Sequence, residues 1–474
     1  MCLSLQAAPV LAAPFEDFDR FFTFDFDPGW EGYRNRILPE PLPVARQDFG
    51  LRSTRNAGGL AAGELGGRVQ RSVDLASFAL RIPKRTLEDK LVASGRFAVT
   101  SCENGSGALF GWFNEKSRGW RTPHSLAIRI DGNGGKYWVF FEYGTRHWLA
   151  GSGDTFEGDQ YQKTPTKPFP SDGTSHTWTF EYDPAGYDGQ GLMIFTLDGA
   201  RFEQPLDPGH KADGAEFDRF GLWNIAKSGD PLEVYFDDLV LDGQPIELDR
   251  EDAFEARGNQ GTFPQRYLRP FHDFGYSPTR HAGGEAAGEI GGTIWRHPQG
   301  CYYGIPIPLL TLEQPFEATG RVALAKGATD SGGCFGFFDA ASRKVVTTER
   351  PEEYDHRNAL GILIEGPSRI GHYFRPEYAT SVNEVRICPE GPVIRPDGQS
   401  HSWLLRYDPA GANGLGRITY RLDEDERHYD FEPETRRQGA RFDRFGLFTT
   451  QSADGNFVEL YLDDLRILTG SALK

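Results

Sequence analysis

The chain repeats itself. Asp48 to Arg71 reads DFGLRSTRNAGGLAAGELGGRVQR, and Asp273 to Arg296 reads DFGYSPTRHAGGEAAGEIGGTIWR. Fifteen of these 24 positions are identical, at a constant offset of 225. The same offset aligns Phe110-Gly111-Trp112-Phe113 with Phe335-Gly336-Phe337-Phe338, and Tyr182-Asp183-Pro184-Ala185-Gly186 with Tyr407-Asp408-Pro409-Ala410-Gly411. It aligns FDRFGL at 217–222 with FDRFGL at 442–447, and one residue out of register YFDDL at 235–239 meets YLDDL at 461–465. Identity spread over roughly 200 residues marks a duplicated structural unit. Whatever fold one half adopts, the other must accommodate.

The repeat divides the chain into an apolar leading segment at 1–14, a first copy at 15–243, a linker at 244–265 and a second copy at 266–470. Copy 2 carries a charged insertion near 345–358, and copy 1 a compensating one near 146–175. Both are expected as loops, where solvated backbone tolerates insertion.

Inside each copy the apolar residues come in short alternating runs. Lys136 to Tyr143 reads KYWVFFEY, with Trp138, Phe140 and Glu142 on one face. Leu126, Ile128 and Ile130 alternate with Ala127 and Arg129. Thr177–Tyr182 and Met193–Leu197 flank the Gly-rich DPAGYDGQG, as the arms of a hairpin should. Val234–Leu241 closes the copy. About a dozen such strands per copy predict a two-sheet sandwich. The fold class is therefore all-β: two tandem jelly-roll β-sandwich domains related by internal duplication. Both FDRFGL motifs should lie in or beside cores, with Phe217, Phe220, Phe442 and Phe445 buried.

A net charge of −17 repels phosphate backbones, so nucleic acid is not an expected partner. No run approaches the ~18 apolar residues of a membrane span. Met1 to Pro14, MCLSLQAAPVLAAP, looks like the back half of a secretory signal without its charged beginning. The expected setting is secreted or periplasmic. The cysteines are Cys2, Cys102, Cys301, Cys334 and Cys388, with no CxxC, so zinc is not expected; a disulfide among Cys301, Cys334 and Cys388 stays open.

Strand order, size and the hairpin followed by a closing strand of the YFDDL kind resemble the concanavalin A-like lectin/glucanase jelly-roll superfamily, including laminin G-like modules. The resemblance covers both copies. It implies a partner among polysaccharides or oligosaccharides, and a protein that is a lectin, a glycoside hydrolase or a polysaccharide lyase; fold alone does not choose among them. It also implies that the acidic pairs Asp237-Asp238 and Asp463-Asp464 in the closing strands support a structural Ca²⁺, to which oxygen ligands are suited. The alternative is an Asp that binds backbone N–H groups at a strand end. No cofactor is otherwise required.

Glu64 and Glu289 sit in AAGE(L/I)GG of each copy, either as acid, base or metal ligand or as supports of a glycine turn. Glu142-Tyr143 and Glu377-Tyr378 also recur. The copy-1-specific residues are more telling: Trp112, Asn114, Trp120, Arg121, His124, Ser125, Arg129, Arg146, His147 and Trp148. Copy 2 has Phe337, Asp339, Tyr354, Asp355, Asn358, Ala359 and Leu363 at the first seven positions. Aromatic faces stack on sugars, and Arg, Asn and His direct hydrogen bonds to them. The expected substrate-binding residues are thus Trp112, Asn114, Trp120, Arg121, Arg129 and Trp148. The expected catalytic residues are Glu142, His147, Tyr143 and His124. Glu142 would serve a hydrolase with a second carboxylate some 5–9 Å away, for which Glu64, Glu103 and Asp131 are candidates. Arg with His or Tyr would serve a lyase. The competing reading is a non-catalytic glycan-binding or structural module pair.

Overall fold

The computed structural model describes residues 17–473 except 38–43, 62, 73, 118–121, 148, 153–155, 158–159, 162–167, 228, 265–271, 298, 328–330, 345–356, 369–370, 383–384, 389–390 and 451–456. The leading segment 1–14, Trp120, Arg121, Trp148 and most of the charged insertion fall outside the described residues.

The architecture is antiparallel and all-β. In the N-terminal sandwich one sheet runs Ala150–Ser152, Lys136–Gly144, Ser125–Gly132, Ser106–Phe113, Glu216–Asn224, Ser77–Thr86, Phe254–Arg257. The facing sheet runs Ala200–Pro205, Leu192–Leu197, Ser175–Asp183, Leu91–Cys102, Pro231–Leu241, Glu64–Gln70, Asp48–Arg52. The C-terminal sandwich repeats both orders, with Glu31–Tyr33 beside Tyr302–Thr311 in one sheet and Arg36–Ile37 beside His272–Ser277 in the other.

Alternation fills the space between sheets. Leu126, Ile128 and Ile130 point into the N-terminal core with Tyr137, Val139 and Phe141 of the next strand. The FDRFGL phenylalanines are buried as expected, Phe217 and Phe220 in one core and Phe442 and Phe445 in the other. Cys102, Cys301, Cys334 and Cys388 are all buried free thiols, so the disulfide left open by the sequence does not form.

The expected boundaries need correction. Residues 244–265 are not a linker: Phe254–Arg257 pairs with Ser77–Thr86, and Thr262–Pro264 with Val44–Arg46, completing the N-terminal sandwich. The chain's first strands do not belong to the N-terminal sandwich at all. Phe18–Phe22 pairs with Phe457–Thr469, Glu31–Tyr33 with Tyr302–Thr311 and Arg36–Ile37 with His272–Ser277. Phe24 and Trp30 are buried in the C-terminal core, where Trp30 stacks on Tyr303 at 5.8 Å. Glu31 anchors this strap. It accepts from Tyr302 Oη at 2.6 Å, Lys344 Nζ at 3.1 Å and the Arg444 guanidinium at 2.9 and 3.0 Å. Burial opposes its ionisation, but those three donors outweigh burial and hold the carboxyl at about 2.

Candidate functional site

The recurring glycine loops come first, because their carboxylates were candidates for chemistry. Glu64 is wholly buried and braces its loop: Oε1 accepts from Asn56 N at 3.0 Å and Thr54 Oγ1 at 2.5 Å, and Oε2 from Ala57 N at 2.8 Å. Glu289 does the same through His281 N, Ala282 N and Thr279 Oγ1. Neither has an oxygen turned toward a ligand space, so both are loop supports.

The Asp pairs close those loops from the other side. Asp237 Oδ2 accepts from Gly59 N at 3.1 Å and Oδ1 from Asp238 N at 2.7 Å. Asp463 repeats both bonds to Gly284 N and Asp464 N. Asp238 and Asp464 have φ of +49° and +46°, and the strand register shifts beside each, so the pair forms a β-bulge that turns its carboxylates onto the loop. A Cβ on Gly59 or Gly284 would lie 2.0 Å from the carboxylate, which is why glycine stands there. Burial is the main cause that pushes Asp237 up, and Asp463 up to about 6. Arg96 already pairs with Asp238 at 3.3 Å. A cavity of about 530 Å³ beside Asp237 and Asp238 also meets Glu247 and Asp249, yet no three His, Cys, Asp or Glu groups converge as metal ligands among the described residues. Loop closure accounts for the acidic pairs without a cation, and the residues do not fit a calcium cage. EDTA is expected to leave both unfolding transitions in place; a calorimetric shift of several degrees, reversed by calcium, would contradict this.

The outward face of the N-terminal sheet carries Glu142 and Arg129. Arg129 donates from Nη1 to Glu142 Oε2 at 2.7 Å, and from Nε and Nη2 to the two oxygens of Asp131 at 3.0 and 2.9 Å; Arg71 also binds Asp131. All four side chains are under one-tenth exposed. Burial works against the Asp131 charge, but Arg129 and Arg71 hold its carboxyl below the usual range. Among the described residues, two cations and two anions thus meet out of water.

The C-terminal sheet solves the same problem differently. Arg296 and Arg375 pair with Glu365. Arg375 faces Leu363 across the strand pair, whereas in the N-terminal sheet Phe140 faces Arg129. The guanidinium has crossed to the neighbouring strand while the apolar residue crossed back. Either arrangement keeps charge balanced inside its sheet, and Arg129 and Glu142, expected from the sequence as sugar ligand and catalytic acid, are buried in this ion cluster and do not line the cleft around His124.

Trp112 and Tyr143 are corrected for a similar reason. Trp112 is fully buried in the intersheet core, 5.3 Å from Phe180 and 5.2 Å from Phe220. It shares a strand face with Ala108 and Phe110, all pointing inward. Tyr143 is buried likewise; its hydroxyl meets His210 Nδ1 at 2.8 Å and accepts from Asp207 N at 2.9 Å.

The remaining candidates do come together. A cleft of about 590 Å³ is walled by Lys84, Asn114, Lys116, Ser117, His124 and Arg146. Pro123, Glu216, Asp218 and, from the C-terminal sandwich, Asp397 complete it. Asn114 fixes its own turn, accepting from Lys116 N at 3.0 Å and donating to Glu216 O at 3.3 Å. His124 sits at φ +53°, and its Nδ1 accepts from Glu216 N at 3.0 Å. Its counterpart Asn358, at φ +57°, accepts from Arg441 N in the same way. With Nδ1 accepting, the ring is the neutral Nε2–H tautomer, and burial pushes its pKa down. His124 thus stands at the cleft wall with Nδ1 already engaged and Nε2 left as its donor. His147 lies just outside, half-exposed; its Nδ1 meets Asp213 Oδ1 at 2.7 Å. Burial opposes the Asp213 charge, but Thr145 and His147 hold the carboxyl below its ordinary value. Sequence reasoning missed Lys84, Lys116, Glu216 and Asp397, because no local pattern joins residues so far apart in the chain.

Two antiparallel sheets in each half, in the same strand order, define a tandem jelly-roll β-sandwich. No family model and no curated protein matches the chain. Among solved structures it is similar to domains LG4-5 of the mouse laminin α1 chain, at 12% identity over 85% of this chain and 90% of that one, with a TM-score of 0.24. It is similar to the alginate lyase Aly36B in complex with alginate trisaccharide, at 13% identity over 38% and 80%, TM-score 0.26. It is also similar to the Emp47p carbohydrate recognition domain, at 10% identity over 44% and 91%, TM-score 0.28. Likeness at this level does not choose a function.

Proposed function

We propose that the protein is a carbohydrate-binding module pair whose main ligand site is the cleft around His124 and Arg146. One observation carries this reading: almost every wall of the cleft is a hydrogen-bonding side chain, with donors and acceptors mixed. Donors and acceptors held on such a wall match a ring of hydroxyls, each of which both donates and accepts, while the aliphatic parts of the same side chains suit the C–H faces of a sugar. The charges of Lys84, Lys116 and Arg146 face those of Glu216, Asp218 and Asp397, which favours a neutral glycan over a strongly anionic one. Trp120 and Arg121 lie in sequence between the wall residues Ser117 and Pro123, and remain candidates for stacking and hydrogen bonding. A secreted or periplasmic setting is part of the same proposal. No helix among the described residues is long and apolar enough to cross a membrane.

A glycan array tests it. Wild type is expected to bind a restricted set of oligosaccharides, and Lys116→Ala with Arg146→Ala to lose at least tenfold in affinity. Both side chains are exposed, so each change should cost under about 0.5 kcal/mol of stability. Unchanged binding by this variant would remove the cleft from consideration.

One observation favours catalysis instead: His147 is oriented by Asp213, and a base held by a third group is a recurrent catalytic arrangement. A polysaccharide cleaved by wild type and spared by His147→Ala would support that reading.

A further inference from the structure

The strap that completes the C-terminal sandwich and the segment that completes the N-terminal one make the same contacts. Asn35 Nδ2 donates to Phe274 O at 2.5 Å, and Asn259 Nδ2 to Phe49 O at 2.5 Å. Phe274 N donates to Asn35 O, and Phe49 N to Asn259 O. Glu31 binds Arg444, and Glu255 binds Arg219. Each strap leads, in sequence, into the sandwich that it does not complete. The N-terminal sandwich closes with the residues that directly follow it. The C-terminal sandwich closes with residues made more than 200 positions earlier.

We propose that this strap is exchangeable between chains: residues 18–37 of one copy complete the C-terminal sandwich of a second copy, giving a strand-swapped dimer beside the closed monomer. Every strap contact is the same in either form; only the chain that donates the strap differs. Reciprocal donation closes a two-fold dimer with no strap site left over. An unfilled site would expose the edges of His272–Ser277 and Tyr302–Thr311, which an open sheet does not leave unpaired for long. Closure waits for the last sandwich to be made, so the choice between self and neighbour falls at the end of folding.

A short tether gives an effective concentration of about millimolar order, so refolding far below that level yields monomer and refolding near it yields dimer. The full chain is unfolded in denaturant and refolded at about 1 µM, far below that level, and at about 1 mM, close to it, and its mass is read by size exclusion with light scattering. The expected result is monomer at the low concentration and a dimer at the high one that persists on dilution. Phe21→Cys with Arg466→Cys tests the route, because these exposed residues are register partners on Phe18–Phe22 and Phe457–Thr469. Oxidised in the native monomer before unfolding, the variant is expected to refold as monomer at both concentrations. Reduced, it is expected to dimerise like wild type. Absence of any wild-type dimer, or equal dimerisation of the oxidised variant, would overturn the proposal.

Discussion

Deleting residues 17–37 is expected to unfold the C-terminal sandwich while leaving the N-terminal one folded. The segment contributes Phe24 and Trp30 to the C-terminal core, both under one-tenth exposed. Truncating a buried Trp alone costs about 3–5 kcal/mol. Losing Glu31 also strands Arg444, which is one-fifth exposed and has only the adjacent Asp443 as a further acidic partner among the described residues. Domains are stable by about 5–15 kcal/mol, so these losses together exhaust a typical margin. The N-terminal sandwich, formed by residues 44–264, contains none of the deleted strands. Calorimetry of the deletion protein should show the transition of one sandwich retained and the other lost. Trp30→Ala is the milder form, shifting one transition downward and sparing the other. Two unaltered transitions would show that the strap is peripheral.

Arg129→Leu is expected to cost about 3–5 kcal/mol, because it leaves Glu142 and Asp131 buried with too little positive charge. The same change made together with Phe140→Arg should recover most of that loss. The double variant rebuilds in the N-terminal sheet the arrangement that Leu363, Arg375 and Glu365 already form in the C-terminal one. The coupling between the two substitutions, measured by urea unfolding as a double-mutant cycle, should exceed about 1 kcal/mol. Simple additivity would mean that the guanidinium does not act through its charge.

Much of the fold is legible in the sequence because its signals are local. Alternation in KYWVFFEY and SLAIRI gives strands, and the duplicated glycines give loops that only a bare backbone can fill. The strap is illegible for the opposite reason. Its strands are as short as Glu31–Tyr33 and Arg36–Ile37, too brief to show a period. Between Trp30-Glu31-Gly32-Tyr33-Arg34-Asn35 and Phe254-Glu255-Ala256-Arg257-Gly258-Asn259 only the Glu and the Asn are shared. The site was half legible. Asn114 and His124 stand out by differing from Asp339 and Asn358. Trp112 misleads because Ser106–Phe113 is buried on both faces, so parity does not separate a core Trp from a groove Trp. Arg129 misleads because an Arg between isoleucines reads as a solvated face, whereas its partners are Asp131 on its own strand and Glu142 on the next, with Arg71 reaching Asp131 from far earlier in the chain.

The most direct test of the binding account is a crystal of the full chain soaked with the oligosaccharide that an array selects. The expected result is sugar density in the cleft, with hydroxyls within hydrogen-bonding distance of His124 Nε2 and Arg146. Density against Glu142 and Arg129 on the sheet face, with the cleft empty, would contradict the account.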